Sequence, residues 1–125
     1  MFIRLCLIAL GGAIGAPCRY LTSIGAMKLF GANFPYGTLI VNTLGSFLIG
    51  LFALLFLRVT HYNTQLNAFF LSGFLGAYTT FSSFALETQA QFLDRGLAPA
   101  LLNIFLNISC CLLGVYLGSL IGKTA

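Results

Sequence analysis

The stretch GFLGAYTTFSSF, from Gly73 to Phe84, places polar and flexible residues in the middle of an otherwise apolar run. Non-helical backbone inside a membrane persists only where protein buries it or where it lines a cavity, because hydrocarbon offers no hydrogen bonds. Broken helices place free N–H and carbonyl groups at the membrane midplane. The stretch therefore predicts a broken span beside an ion or substrate pathway. Its hydroxyl-bearing residues are Thr79, Thr80, Ser82 and Ser83, and we expect Gly73 and Gly76 to loosen the backbone just before them.

The composition of the whole chain is that of a membrane protein. Of its 125 residues, 59% are hydrophobic and 6% are charged, whereas about a quarter of a soluble domain is charged. Since about 20 apolar residues cross a bilayer, the sequence predicts an all-α integral membrane protein. We expect one four-span domain over residues 1–125, with spans at 2–27, 34–57, 66–92 and 97–121.

The basic residues are divided evenly between the two sides that four spans create. One side carries Arg4, Arg58 and Lys123, and the other carries Arg19, Lys28 and Arg95. An imbalance of Lys and Arg is what orients a membrane protein, so this split predicts insertion in both orientations. The alternative is that a bias of one charge, or a buried Arg19, decides a single orientation. The net charge of +4 is too small and too scattered to indicate a nucleic-acid partner.

Small residues recur every four positions in two spans. Gly11 and Gly15 do so in the first span, and Gly114, Gly118 and Gly122 do so in the fourth. This spacing is typical of helices that pack closely in membranes. It does not identify the packing partner.

Three asparagines lie within the second and fourth predicted spans. Asn42 is in the second span, and Asn103 and Asn107, four residues apart, share one face of the fourth. An amide in hydrocarbon must form a hydrogen bond. For a lone Asn the simpler interpretation is a structural bond to a neighbouring helix. The alternative is that the amide N–H groups bind an anion.

Two charged and two aromatic residues are further candidates. Glu87 is the only acidic residue within a span, and ionisable residues inside membranes are usually functional; alternatively it lies at the interface. Arg19 either extends to the membrane surface or attracts anions. Phe81 and Phe84 share a face after the predicted break, and the positive edges of their rings can contact an anion. The alternative for both is an ordinary lipid or core contact.

Three segments resemble the hallmark segments of the Fluc/CrcB family of fluoride channels. They are GGAIGAPCRY (11–20), GTLIVNTLGSF (37–47) and GFLGAYTTFSSFALET (73–88). The resemblance covers essentially the whole chain in order, spacing and length, although the fourth span is its least diagnostic part. It implies a homodimer of two oppositely oriented four-span subunits in the inner (plasma) membrane. Such a dimer has two pores and exports fluoride passively.

The resemblance also implies roles for individual residues. Arg19 matches an arginine near the aqueous mouth, and the carbonyls of Gly76 and Thr79 match those that hold a structural sodium ion (Na⁺) at the dimer centre. Ala77 departs from the family pattern, since many relatives have glycine there. Asn103 and Asn107 are added from the residues alone as candidate pore-lining donors. The fluoride-pore positions implied by the resemblance are Asn42, Phe81, Ser82, Ser83, Phe84 and Glu87.

Other classes of protein fit the sequence less well. A small dual-topology multidrug exporter, which exchanges organic cations for protons, needs an acidic residue in its first span, where this chain has Arg19. A structural subunit of a membrane complex would not need the polar break. The sequence has neither a Ser-His-Asp set, a Gly-rich phosphate loop nor a metal-binding cluster, and its only histidine is His61. We therefore expect a channel and not an enzyme.

Overall fold

The protein is built from four long helical stretches. The computed structural model describes residues 1–59 and 64–124, and within them every regular element is helical. Four stretches of the described residues are long and apolar enough to cross a membrane, which confirms the predicted all-α, four-span architecture. They are the first span Phe2–Phe30, the second span Tyr36–Arg58, the third span Thr64–Arg95 and the fourth span Leu97–Thr124.

The ends of the spans differ from the predicted ends by up to three residues. The first helix continues past Lys28 to Phe30, and the third span continues to Arg95. Each ends at a glycine with positive φ, 81° at Gly31 and 92° at Gly96, a conformation that glycine adopts without steric cost. The first link is thus shortened to residues 31–35 and the third to Gly96. The second predicted link, 58–65, lies partly outside the described residues.

The third span is interrupted near its middle, but not at the glycines that we expected to loosen it. Gly76 is helical, with φ −61° and ψ −34°. The extended residues are Thr79, with ψ 160°, and Thr80, with φ −154° and ψ 117°. They separate an N-terminal half (64–78), which includes the π-helix Asn67–Leu75, from a C-terminal half, Phe81–Arg95.

Gly73 allows two helices to approach each other instead of loosening its own. A Cβ atom placed on Gly73 would lie 2.7 Å from the Ile8 carbonyl oxygen and 3.1 Å from the Cα of Gly11. Gly11 and Gly15 in turn lie against the backbone of the N-terminal half of the third span. These glycines therefore seat the first helix on that half.

The glycines of the fourth helix lie against the second helix of the same chain. Cβ atoms on Gly114, Gly118 or Gly122 would meet backbone atoms of Thr43, Phe47 and Leu51. The second and fourth helices form the most extensive contact between elements, and the C-terminal half of the third span packs on the fourth helix. This arrangement brings the amide-bearing stretches of the second and fourth spans to the interrupted third span.

Candidate functional site

The side chain of Asn42 supports the interrupted backbone of the third span. Its Oδ1 accepts a hydrogen bond from the Thr80 N–H at 2.8 Å, and its Nδ2 donates to the Thr80 carbonyl at 3.0 Å. The amide thus pairs with Thr80 as another peptide group would. The structural bond to a neighbouring span that we expected of a membrane amide is therefore present.

A chain of amides leads from Asn42 into the fourth span. Asn42 Nδ2 also donates to Asn107 Oδ1 at 3.3 Å, and Asn107 Nδ2 donates to Asn103 Oδ1 at 2.9 Å. Asn103 then donates to Thr88 Oγ1 at 2.8 Å. Asn103 and Asn107 are 0% and 3% exposed, and their predicted common face is confirmed. A buried, uncharged track therefore runs from the break to Thr88.

A cavity of about 280 Å³ lies beside the break, and we call it the break cavity. It brings together five of the candidate site residues from three different spans, namely Asn42, Thr79, Phe81, Phe84 and Asn107. All of its lining residues are uncharged, so it offers dipoles and ring edges in place of fixed charge. The lining residues are Asn42, Gly45, Ser46, Ile49, Leu75, Thr79, Thr80, Phe81, Phe84, Asn107, Ile108 and Cys111.

Two aromatic rings form one wall of the break cavity. The ring centroids of Phe81 and Phe84 are 5.4 Å apart, with an interplanar angle of 61° that is typical of edge contacts. Phe84 is 8% exposed, whereas Phe81 is 78% exposed in the single chain. The hydrogens at the edge of such a ring carry partial positive charge, so an anion in this cavity can be contacted without being trapped by a cation.

Thr80, which sequence reasoning did not place in the site, organises its hydroxyl groups. It is the N-cap of the C-terminal half of the third span, because its Oγ1 accepts the Ser83 N–H at 3.2 Å. The same oxygen lies 3.1 Å from Ser83 Oγ and 3.3 Å from Ser82 Oγ. A threonine just before a helix is a common cap, and this pattern was the available signal. The cavity thus borders a helix N-terminus, where negative charge is favoured.

Glu87 lies in a second cavity, of about 300 Å³, which we call the Glu87 cavity. Its Oε1 accepts a hydrogen bond from Thr38 Oγ1 at 2.7 Å. Thr38 is only 4% exposed and was missed, although it lies four residues before Asn42 and so on the same helix face. The other lining residues come from the end of the first helix, the first link, the start of the second helix and the C-terminal half of the third span; they are Ser23, Met27, Gly31, Ala32, Phe34, Pro35, Tyr36, Gly37, Ala90 and Gln91.

Arg19 and Gly76 line neither cavity. Arg19 is half-buried on the first helix, whereas Gly76 is exposed in the single chain. In an α-helix the Gly76 carbonyl would accept the N–H of Thr80, but that N–H bonds to Asn42. The Gly76 carbonyl is therefore released beside Thr79, and carbonyl oxygens are ligands that hard cations prefer.

The comparisons with known proteins agree with this geometry. Residues 6–119 match the family described as CrcB-like protein, Camphor Resistance (CrcB). The chain belongs to this family. It is 49% identical over 115 residues to a protein of Shewanella sp. (strain ANA-3) named fluoride-specific ion channel FluC, with 92% of each chain covered. A protein of the same name from Shewanella putrefaciens (strain CN-32 / ATCC BAA-453) is 47% identical over 112 residues, with 90% of each covered.

The family resemblance recognised in the sequence is thus confirmed. The relatives are named as ion channels and not as enzymes. Together with the four apolar spans, this makes the chain a multi-pass membrane protein of a channel family.

Proposed function

We propose that this protein is a fluoride channel that lowers cytoplasmic fluoride by passive export. The observation that carries the proposal is the break cavity, where an amide, two ring edges and a helix N-terminus meet among uncharged side chains. Fluoride holds its water tightly, so a conducting site must replace that water with several donors while binding weakly enough to release the ion. Membership of a family whose relatives are named fluoride-specific channels supports the same conclusion.

We assign the fluoride path to the polar surface that runs from the break cavity to the Glu87 cavity. Asn42 and Asn107 contribute amides at the break, and the hydroxyls of Ser82 and Ser83 lie around the capped helix start. Asn103, hydrogen-bonded to Thr88, continues the path one helical turn away. The remaining assigned residues are Phe81 and Phe84 in the pore, Glu87 at its far end and Arg19 near the aqueous mouth.

A second, antiparallel copy of the chain would complete the channel. Gly76, Phe81 and Ser82, all at or near the break, are exposed in the single chain. Since an interrupted backbone in hydrocarbon must be covered by protein, these residues favour a partner at this surface. The even split of Lys and Arg favours a partner of opposite orientation. We therefore propose a dual-topology homodimer in the inner (plasma) membrane, with one pore for each of its two breaks.

The residues at the break fit a structural Na⁺ between the two copies. The released Gly76 carbonyl and the neighbouring Thr79 carbonyl would hold the ion, with the same pair from the partner. Among the described residues no group of three or more His, Cys, Asp or Glu could serve instead. Bound there, the ion would supply positive charge near the anion path and partly offset the cost of dehydrating fluoride.

Reconstituted protein in liposomes loaded with fluoride provides the test. We expect rapid, passive release of fluoride to an external fluoride electrode when an ionophore balances the charge. An exporter would instead move organic cations against a proton gradient, but the described first helix carries basic residues and no acidic one. Proton-driven cation uptake, or liposomes that retain fluoride despite folded protein, would contradict the proposal.

A further inference from the structure

Two buried side-chain oxygen atoms in the C-terminal half of the third span have no hydrogen-bond donor. They are Glu87 Oε2 and Gln91 Oε1. The two residues are one helical turn apart, so their side chains share a face of the helix, and both line the Glu87 cavity. Two acceptors buried without a donor cost free energy, which requires a physical explanation.

The orientation of the Gln91 amide is fixed by the first link. Gln91 Nε2 donates to the Asn33 carbonyl at 3.3 Å. Rotating the amide by half a turn would place Gln91 Oε1 against that carbonyl, acceptor against acceptor. Arg95 holds Asn33 in place, because its Nη1 donates to the same carbonyl at 2.6 Å and its Nη2 donates to Asn33 Oδ1 at 3.0 Å. Gln91 Oε1 therefore remains a free acceptor one helical turn from Glu87.

No charged group in the described surroundings compensates a carboxylate at Glu87. The first helix and the first link contribute no ionisable side chain to the cavity, and the only ionisable side chain among the lining residues of the second helix is that of Tyr36. The fourth span contributes the neutral Asn103 through Thr88. On the helix of Glu87 itself, the guanidinium of Arg95 is occupied by Asn33. Neither unpaired oxygen is accessible to solvent, so water in the cavity does not reach them without rearrangement.

We propose that Glu87 is held as a neutral carboxylic acid whose Oε2–H donates to Gln91 Oε1, which makes Gln91 a positioning residue. One proton then satisfies both orphaned oxygens, while Oε1 keeps its bond from Thr38. The inference rests on the proposed place of Glu87 in the fluoride path. There a neutral acid leaves no negative charge to repel the anion, and Gln91 fixes its rotamer.

Infrared spectroscopy of the reconstituted full chain tests the proton directly. The sequence contains only two acidic side chains, Glu87 and the exposed Asp94. A carboxylic-acid carbonyl band at neutral pH should therefore vanish in Glu87→Gln and persist in Asp94→Asn. If no band at neutral pH depends on Glu87, the proposal is overturned.

A variant of Gln91 tests the positioning role by a pH titration of the same band. A hydrogen bond to the neutral acid favours that form, and its net contribution of about 1 kcal/mol corresponds to a shift of about one pH unit. We expect Gln91→Met to lose the band at a pH lower by this amount. Gln89→Met, on the exposed side of the same helix, is the matched control.

The outcomes separate this inference from the proposed function. An unchanged titration in Gln91→Met would show that Gln91 is not the acceptor, and would overturn the inference. A shifted titration in Gln91→Met together with unaltered fluoride flux in Glu87→Leu, which removes the polar group, would support the shared proton and contradict only the placing of Glu87 in the path. A shift accompanied by altered flux supports both.

Discussion

At the scale of single residues, a side chain supplies the hydrogen bonds that the interrupted backbone cannot form within its own helix. Leaving a buried backbone group unpaired costs about 1–3 kcal/mol, and the extended conformation at Thr80 withdraws two such groups from the helix. Asn42 supplies an acceptor and a donor to that one residue, at 2.8 Å and 3.0 Å. The amide that we assign to the pore thus also holds the break in shape.

Replacing Asn42 with aspartate should abolish fluoride flux. The carboxylate can still accept the Thr80 N–H but cannot donate to the Thr80 carbonyl or to Asn107, and it places negative charge beside an anion path. We expect no fluoride release from liposomes by the Asn42→Asp protein, measured with a fluoride electrode. Size-exclusion chromatography should show the same elution volume as the wild type. Release at the wild-type rate would mean that Asn42 has only a structural role.

The aromatic wall of the break cavity leads to a second prediction at this scale. Phe81→Ile and Phe84→Ile keep most of the apolar bulk but remove the positive ring edges. Fluoride release should therefore fall at least about tenfold, the effect of losing roughly 1.4 kcal/mol of stabilisation of the ion. Phe92→Ile is the matched control, because Phe92 is on the same helix and lines neither cavity. Equal flux in all three variants would make Phe81 and Phe84 ordinary packing residues.

At the scale of elements, the sequence predicts the spans well and the break less well. Long apolar runs define the four helices, and φ values of 81° at Gly31 and 92° at Gly96 explain where two of them end. The exact position of the break depends on Asn42, 38 residues away, which takes the N–H of Thr80 from the helix. Such a tertiary competition leaves no local pattern.

Hydrogen bonds within the site between residues distant in sequence are equally hard to predict. That Asn42 and Phe84 are candidate site residues could be predicted from motif and residue type, and the common face of Asn103 and Asn107 from their spacing. The pairing of Thr38 with Glu87 joins residues 49 positions apart, so only the folded chain shows it. The prediction for Gly73 was wrong for a related reason. The sequence alone does not show whether a glycine loosens its own helix or allows a second helix to approach closely, as Gly73 does.

Close packing of the second and fourth helices predicts a sharp response to added volume. A Cβ atom on Gly118 would collide with the Phe47 carbonyl and lie 2.9 Å from the Leu51 nitrogen. Gly118→Ala should therefore lower the free energy of unfolding by about 1–3 kcal/mol. Gly25→Ala is the matched control in the first helix, where a Cβ atom would meet nothing within 4 Å. Thermal unfolding in detergent should show a lower Tm for Gly118→Ala alone; equal Tm values would contradict the packing account.

At the scale of the whole molecule, a single chain leaves its polar interruption partly uncovered. The side chain of Phe81 is 78% exposed beside the break cavity, and Gly76 is exposed on the N-terminal side of the break. An isolated copy would present these groups to lipid. The proposed antiparallel dimer and its Na⁺ would cover them, and each can be tested separately.

Removing sodium should weaken the assembled channel. Because Asn42 takes the Thr80 N–H that would otherwise bond the Gly76 carbonyl, that carbonyl and the Thr79 carbonyl would again lack a ligand, and unpaired buried carbonyls are costly. We expect exhaustive exchange of sodium for a bulky organic cation to stop fluoride release or to shift the protein toward monomer in size-exclusion chromatography. Re-adding sodium should restore the dimer and the flux. Protein equally dimeric and equally active in the absence of sodium would contradict the structural ion.

Opposite orientation of the two copies is testable through the charges that set topology. Two lysines added to the second link, between residues 59 and 64, would break the split of three basic residues against three and orient every copy the same way. Fluoride release by cells that express this variant alone should then be lost, because equally oriented subunits cannot form an antiparallel pair.

Two lysines added instead to the first link, at residues 31–35, should bias a second variant the opposite way, and this variant should be equally inactive alone. Activity should return when the two variants are expressed together, since each then supplies the orientation that the other lacks. Full activity from either variant alone would show that the channel does not need oppositely oriented copies.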